Sequence, residues 1–79
     1  MSISNEAVQQ LIKNALPDAD VIVSGDGYKY EAEVISSSFE GLRAVKRQQM
    51  VYAAVNTAIT SGQLHALTIR AFTPSEKSA

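Results

Sequence analysis

Along the first part of the chain, Ala7, Val8, Leu11, Ile12, Ala15 and Leu16 recur at the spacing of a single apolar helical stripe, and Pro17 ends the pattern. Ser4 stands where an N-cap belongs and Glu6 falls in the first turn, so a helix is predicted over about residues 4–16. Val21, Ile22 and Val23 then form a short β-branched run. Gly25-Asp26-Gly27 supplies residues that tolerate turn geometry, and residues 28–35 alternate, with Tyr28, Tyr30, Ala32 and Val34 on one face. This predicts a β-hairpin with a Gly-Asp-Gly tip. Ser36-Ser37-Ser38 breaks the strand, and Phe39 between polar and flexible neighbours reads as an anchored turn that plugs the core.

From about residue 42 to residue 60, Val45, Gln48, Tyr52, Val55 and Ile59 recur at helical spacing beside Val51, Ala54 and Ala58, and Ser61-Gly62 offers a left-handed cap. The pattern predicts one long helix. Residues 64–72 alternate again, with His65, Leu67, Ile69 and Ala71 on one face and Ala66, Thr68 and Arg70 on the other. Thr73-Pro74-Ser75-Glu76 has the form of a capping box with proline at the first helical position. Only three residues follow it, so a frayed helical turn is predicted. The order α-β-β-α-β, with this C-terminal turn, makes a single α+β domain over residues 1–79. If the second and third strands are neighbours, the helix between them makes their pairing parallel. The sheet is then three-stranded and mixed, with helices on one face. Its expected core is Leu11, Leu16, Val21, Val23, Tyr30, Phe39, Tyr52, Val55, Ile59, Leu67 and Ile69.

Composition narrows the chemistry. With 79 residues there is room for one small core, of marginal stability unless local structure or a partner supports it. Zero cysteines exclude a disulfide framework, a zinc finger, a cysteine nucleophile and an iron–sulfur site built from this chain's own thiolates, and one histidine excludes an all-imidazole metal centre. No segment reads as a signal peptide or a membrane helix, and a cytoplasmic location is the expectation. The net charge of -1 gives no global attraction to nucleic acid or lipid, but the two halves differ. Residues 1–40 carry a net charge of -5 and residues 41–79 a net charge of +4. The basic half is the one suited to an anionic partner.

His65 is the sharpest candidate for chemistry, because it opens a strand just after the Gly62 cap and imidazole is the commonest neutral metal ligand. The alternative is a structural histidine that closes the edge of the apolar face it shares with Leu67 and Ile69. Lys46, Arg47, Gln48 and Gln49 open the long helix, where cations oppose the helix dipole and add nothing to local stability. They read either as a docking surface for phosphates or an acidic protein, or as a solvated polar face. Gly25-Asp26-Gly27 precedes a strand and carries a carboxylate, so a hairpin turn accounts for it better than a phosphate loop does. Tyr28 and Tyr30 on one strand face read as core or as a binding surface. There is no second histidine, no nucleophile elbow and no paired acid and base, so the chain is not expected to be an enzyme.

The strings Phe39-Glu40-Gly41, Val45-Lys46-Arg47-Gln48-Gln49-Met50-Val51-Tyr52 and His65-Ala66-Leu67-Thr68-Ile69-Arg70-Ala71-Phe72-Thr73-Pro74 resemble the BolA family, over roughly residues 5–76. The Val-Lys-Arg-Gln-Gln run is most similar to its bacterial YrbA/IbaG branch. The resemblance implies a fold similar to a type II KH domain, association with a monothiol, CGFS-type glutaredoxin and other iron–sulfur assembly proteins, and a stress-linked role in iron–sulfur cluster trafficking and iron homeostasis. It further implies that His65 is a ligand to a two-iron, two-sulfur cluster shared with the glutaredoxin, whose cysteine and bound glutathione supply thiolates. Family members often carry a second ligand in the hairpin loop, and Lys29 stands at that position. A protonated ammonium has no lone pair to offer a metal, so Lys29 does not fill that role. The resemblance also carries a DNA-binding reading, with Arg43, Lys46, Arg47 and Arg70 as phosphate contacts, and a third in which the chain binds partners without a cluster.

Overall fold

Ser4 caps the first helix as its position predicts: its side-chain oxygen accepts the Ala7 N–H at 3.1 Å. In the computed structural model, which describes residues 2–78 and so leaves both ends of the 1–79 span outside the described residues, this helix is α1, Asn5–Ala15. One turn apart, Val8 and Ile12 are fully buried. Leu16 continues their stripe and its N–H closes the helix on the Ile12 carbonyl at 2.9 Å. Strand β1, Asp20–Gly25, and strand β2, Lys29–Ile35, form the antiparallel hairpin. Gly25 is required at its end, because a Cβ there would lie 2.6 Å from the Lys29 carbonyl oxygen.

The segment read as one helix over residues 42–60 is two. Helix α2 covers Ala44–Ala54, and α3, Asn56–Thr60, follows a break at Val55, whose backbone leaves the helical region at φ -108° and ψ 13°. Val55-Asn56-Thr57 places three weak helix formers in succession. The Val55 N–H tightens onto the Tyr52 carbonyl at 3.2 Å. The break keeps Val51, Val55 and Ala58 inside while Tyr52 and Ile59, expected in the core, emerge to 39% and 38% exposure. Gly62 ends α3 at φ +81°, and the Gln63 and Leu64 N–H groups both bond the Ala58 carbonyl, at 3.0 and 3.1 Å.

Strand β3, Ala66–Phe72, pairs parallel to β2, so the sheet order is β1-β2-β3 and the sheet is mixed, as predicted. The helices cover one face, where Val21, Tyr30, Ala32, Val34 and Ile69 are buried with Leu64 and Phe39. Glu31 and Arg70 lie on the open face, 3.7 Å apart as an exposed ion pair. Phe39 sits in a short 3-10 turn, Ser37–Phe39. The serines before it do more than break the strand. Ser36 is buried, donates its hydroxyl to the Asp18 carboxylate at 2.9 Å and accepts the Ser38 N–H at 3.0 Å. Asp18 also accepts from the Ser37 N–H and hydroxyl, at 3.1 and 2.9 Å, and these serine hydroxyls hold its carboxyl below the ordinary range.

Arg47, read as part of a docking surface, faces inward instead. Its Nε donates to the Leu42 carbonyl at 2.9 Å, its Nη1 to the Ala71 carbonyl at 3.2 Å, and both Nη atoms to Glu76, at 2.7 and 3.1 Å. The guanidinium carbon lies 5.8 Å from the Phe39 ring centre, and only 13% of the side chain is exposed. Four of its five N–H donors are therefore committed inside the molecule. This arrangement makes the tail a helix, α4, Pro74–Ser78, rather than the frayed turn predicted. The capping box is reciprocal: the Thr73 N–H donates to Glu76 Oε1 at 2.9 Å and the Glu76 N–H to Thr73 Oγ1 at 3.2 Å. Lys77 adds a contact to Glu33 at 2.7 Å.

Two outcomes follow. Phe39→Ala, which empties the largest fully buried side-chain volume, is expected to cost about 3–5 kcal/mol in urea denaturation, enough to leave much of so small a domain unfolded. The Arg47 guanidinium holds the Glu76 carboxyl at about 2, below its ordinary 4.5. A depressed folded-state value stabilises fully above the unfolded value and is lost as pH falls through the folded one. The thermal midpoint of wild type should therefore exceed that of Glu76→Gln above about pH 4.5, and the gap should close as pH falls to about 2.

Candidate functional site

His65 lies between the Gly62 cap and the first residue of β3, and two features fix its backbone. Leu64 before it is buried, and Ala66 after it is registered against Lys29. The imidazole itself is exposed and, among the described residues, makes no hydrogen bond. It therefore does not close the edge of the apolar face by bonding nearby backbone, and its lone pair is open to solvent. Parallel pairing places the hairpin tip beside it. The Tyr28 ring centre is 5.7 Å from that of His65, with the planes at 34°.

An Asx turn holds this tip in shape: Asp26 Oδ1 accepts the N–H groups of both Tyr28 and Lys29, each at 2.9 Å. The Lys29 and Tyr28 amides hold the Asp26 carboxyl below its ordinary range. Gly27 completes the tip at φ +94°. Tyr28, which alternation sets on one strand face with Tyr30 as core or as a binding surface, is part of the tip and 59% exposed. Lys29 opens β2 with its side chain exposed, next to Ala66 rather than buried against His65.

Among the described residues no group of three or more His, Cys, Asp or Glu side chains is placed to hold a metal ion. The chain offers one accessible imidazole at a rigid strand entrance and no thiolate. Such a site fits iron only as part of a shared coordination sphere, with the remaining donors brought by another molecule.

The expected basic cluster is not assembled. Arg43 and Lys46 are exposed at the start of α2, where Arg43 occupies the N-cap without a capping side-chain bond. Arg70 lies on the open face of the sheet, 3.7 Å from Glu31 and over the Phe72 ring at 5.8 Å, while Arg47 is committed internally. A feature that periodicity concealed is a groove of 620 Å³ at the α2–α3 break, lined by Gln49, Tyr52, Ala53, Asn56 and Ile59. The Tyr52 hydroxyl donates to the Leu67 carbonyl at 3.0 Å, so the groove borders the strand that begins beside His65. The weak sequence signal for it was the excess of apolar positions in 45–59 over what one buried stripe needs.

Comparison with known proteins agrees with this architecture. A family model described as BolA-like protein matches residues 3–76. The acid stress protein IbaG of Escherichia coli K12 is 36% identical over 74 residues, covering 94% of this chain and 88% of that one. A protein from the rpoN–murA intergenic region of Acinetobacter guillouiae is 46% identical over 74 residues, covering 94% and 89%. The structure of a BolA homologue from Coxiella burnetii superposes with a TM-score of 0.87 at 33% identity, covering 98% of this chain and 99% of that one. The matched span runs from before α1 to the Glu76 of the Arg47 clamp, taking in the hairpin tip and His65, and the chain belongs to the BolA-like family.

Proposed function

We propose that this chain is a binding adaptor that works with a monothiol glutaredoxin in iron–sulfur cluster assembly or trafficking, with His65 as a ligand to a shared two-iron, two-sulfur cluster. The observation that carries this reading is the exposed imidazole of His65, fixed at a strand entrance beside the hairpin tip and lacking any intrachain set of metal donors. A cysteine-free chain completes such a site when the partner's cysteine and glutathione bring the sulfur. The cluster is cargo here, and the reading assigns no catalytic group to the chain. It sets the protein in the cytoplasm and in iron homeostasis. The acid stress designation of the IbaG relative supports a stress-linked setting.

The groove beside β3, with the exposed cations Arg43 and Lys46 at the start of the same helix, supplies a docking surface for the partner. A DNA-binding role has less support. Arg47 has its donors committed inside the fold and Arg70 lies on the sheet's open face, leaving Arg43 and Lys46 as the exposed members of the four.

The test is anaerobic assembly with a monothiol glutaredoxin, glutathione, ferric iron and sulfide, read by iron content and visible circular dichroism. Wild type should give a heterocomplex spectrum distinct from that of the glutaredoxin alone, and His65→Ala should lose it while still binding the glutaredoxin. An iron-free complex, or an unchanged spectrum in His65→Ala, overturns the cluster role and leaves a cluster-independent binding module.

A further inference from the structure

The two edges of the sheet are not alike. On the outer edge of β3, the Tyr52 hydroxyl donates to the Leu67 carbonyl at 3.0 Å and Arg47 Nη1 to the Ala71 carbonyl at 3.2 Å, so side chains from α2 occupy that edge. On the outer edge of β1, among the described residues, the corresponding contact is Asn5 Nδ2 donating to the Gly25 carbonyl at 3.4 Å, at the very end of the strand. We propose that the free stretch of β1, centred on Ile22, pairs antiparallel with the same stretch of a second copy of this chain, joining the two sheets across a two-fold axis.

Backbone parity fixes which groups are available. In an antiparallel pair, alternate residues turn both N–H and C=O toward the partner strand, and the residues between them turn both away. The Asp26 N–H donates across the hairpin to the Lys29 carbonyl at 3.3 Å, while the Gly25 carbonyl turns out to Asn5. Val21 and Val23 share the parity of Gly25, so their N–H and C=O groups face outward, and among the described residues no other element bonds them. The β1–β2 register runs without a bulge over residues 20–25, and β1 contains neither lysine nor proline. The usual guards of an edge strand are therefore missing.

The same parity selects one register. Centring on Ile22 sets Val21 opposite Val23 of the second copy as a hydrogen-bonded pair, which the two-fold axis repeats. On the open face, Ile22, 62% exposed, then meets its own symmetry mate, and Asp20 meets Ser24. Apolar faces apolar, a carboxylate faces a hydroxyl that donates to it, and no like charges are opposed. Centring on Val21 or Val23 would instead set Ile22 against Asp20 or Ser24, and the second of these also needs the Gly25 carbonyl that Asn5 holds. Because the β3 edge is occupied, β1 of one copy cannot add to β3 of the next, and the pairing closes at two chains. His65 precedes β3, on the opposite edge of the sheet, and stays uncovered, so the proposal stands independently of the cluster reading.

Analytical ultracentrifugation of the whole chain from micromolar to millimolar concentration tests this on wild type, Ile22→Lys, Ser24→Asp and Ser24→Lys, with far-ultraviolet circular dichroism to establish that each is folded. Both positions are exposed on the open face. Wild type should move from monomer to dimer mass, and Ile22→Lys, which sets two ammonium groups together at the axis, should stay monomeric. Ser24→Asp opposes Asp20 with a like charge and should weaken the dimer roughly tenfold, whereas Ser24→Lys should strengthen it. In a mixture of isotope-labelled and unlabelled chains, an isotope-filtered Overhauser spectrum should show an Ile22 Hα contact between copies, since a non-hydrogen-bonded pair brings those protons closest. That contact and the Ser24 variants decide the matter even if Ile22→Lys fails to fold. A monomer at every concentration, a dimer that survives Ile22→Lys or lacks the Ile22 contact, or Ser24 variants that shift the mass alike overturns the proposal. Species larger than a dimer overturn its two-fold closure.

Discussion

The parallel pairing of β2 with β3 is the constraint on which the rest of the molecule depends. A parallel pair cannot be closed by a tight turn, so the chain must leave the sheet, cross through α2 and α3 and return. The return fixes Lys29 against Ala66 at one end and Ile35 against Phe72 at the other. The first of these sets the hairpin tip beside His65. At the far end, the Ser36 N–H reaches the Phe72 carbonyl at 3.0 Å, and Ser36 then positions the turn that sinks Phe39 into the core. A one-residue slip would reverse the faces of β3, move Ile69 to solvent and separate Tyr28 from His65. Fold and candidate site therefore share one register.

Arg47 secures the far side of that crossover. It ties the turn before α2, the end of β3 and the first turn of α4 through Leu42, Ala71 and Glu76, and it covers Phe39. In a domain whose core is small, one inward guanidinium with matched acceptors joins elements that apolar contact alone leaves loosely connected. The end of the molecule bearing His65 carries no comparable network among the described residues. It is held instead by backbone register and the Asx turn at Asp26, which leaves the imidazole free for a partner.

Much of this was legible in the sequence because local signals agreed. The Ser4 cap, the Pro17 stop, the Gly-Asp-Gly tip, the Gly62 cap and the capping box at Thr73 each act through backbone geometry that a few residues specify. What escaped was what tertiary context decides. Periodicity cannot show that a helix breaks at Val55, so Tyr52 and Ile59 were counted as core although they line an open groove. Charge cannot show which way an arginine points, and Arg47 next to Lys46 faces inward only because Glu76, 29 positions later, returns to meet it. Alternation set Tyr28 on one strand face with Tyr30, but the strand begins one residue later, at Lys29, and leaves Tyr28 in the tip. His65 was legible as the lone histidine at a strand entrance, whereas its aromatic neighbour depended on the strand register.

The central claim is that the partner engages the end of the sheet where the hairpin tip meets His65. Amide chemical-shift mapping of the isotopically labelled protein on titration with a monothiol glutaredoxin tests it most directly. The account predicts that perturbations concentrate in residues 26–29 and 64–67 and extend along the groove at Gln49, Tyr52 and Asn56. Perturbations confined to the open face of the sheet, at Ile22, Glu31 and Arg70, would contradict it.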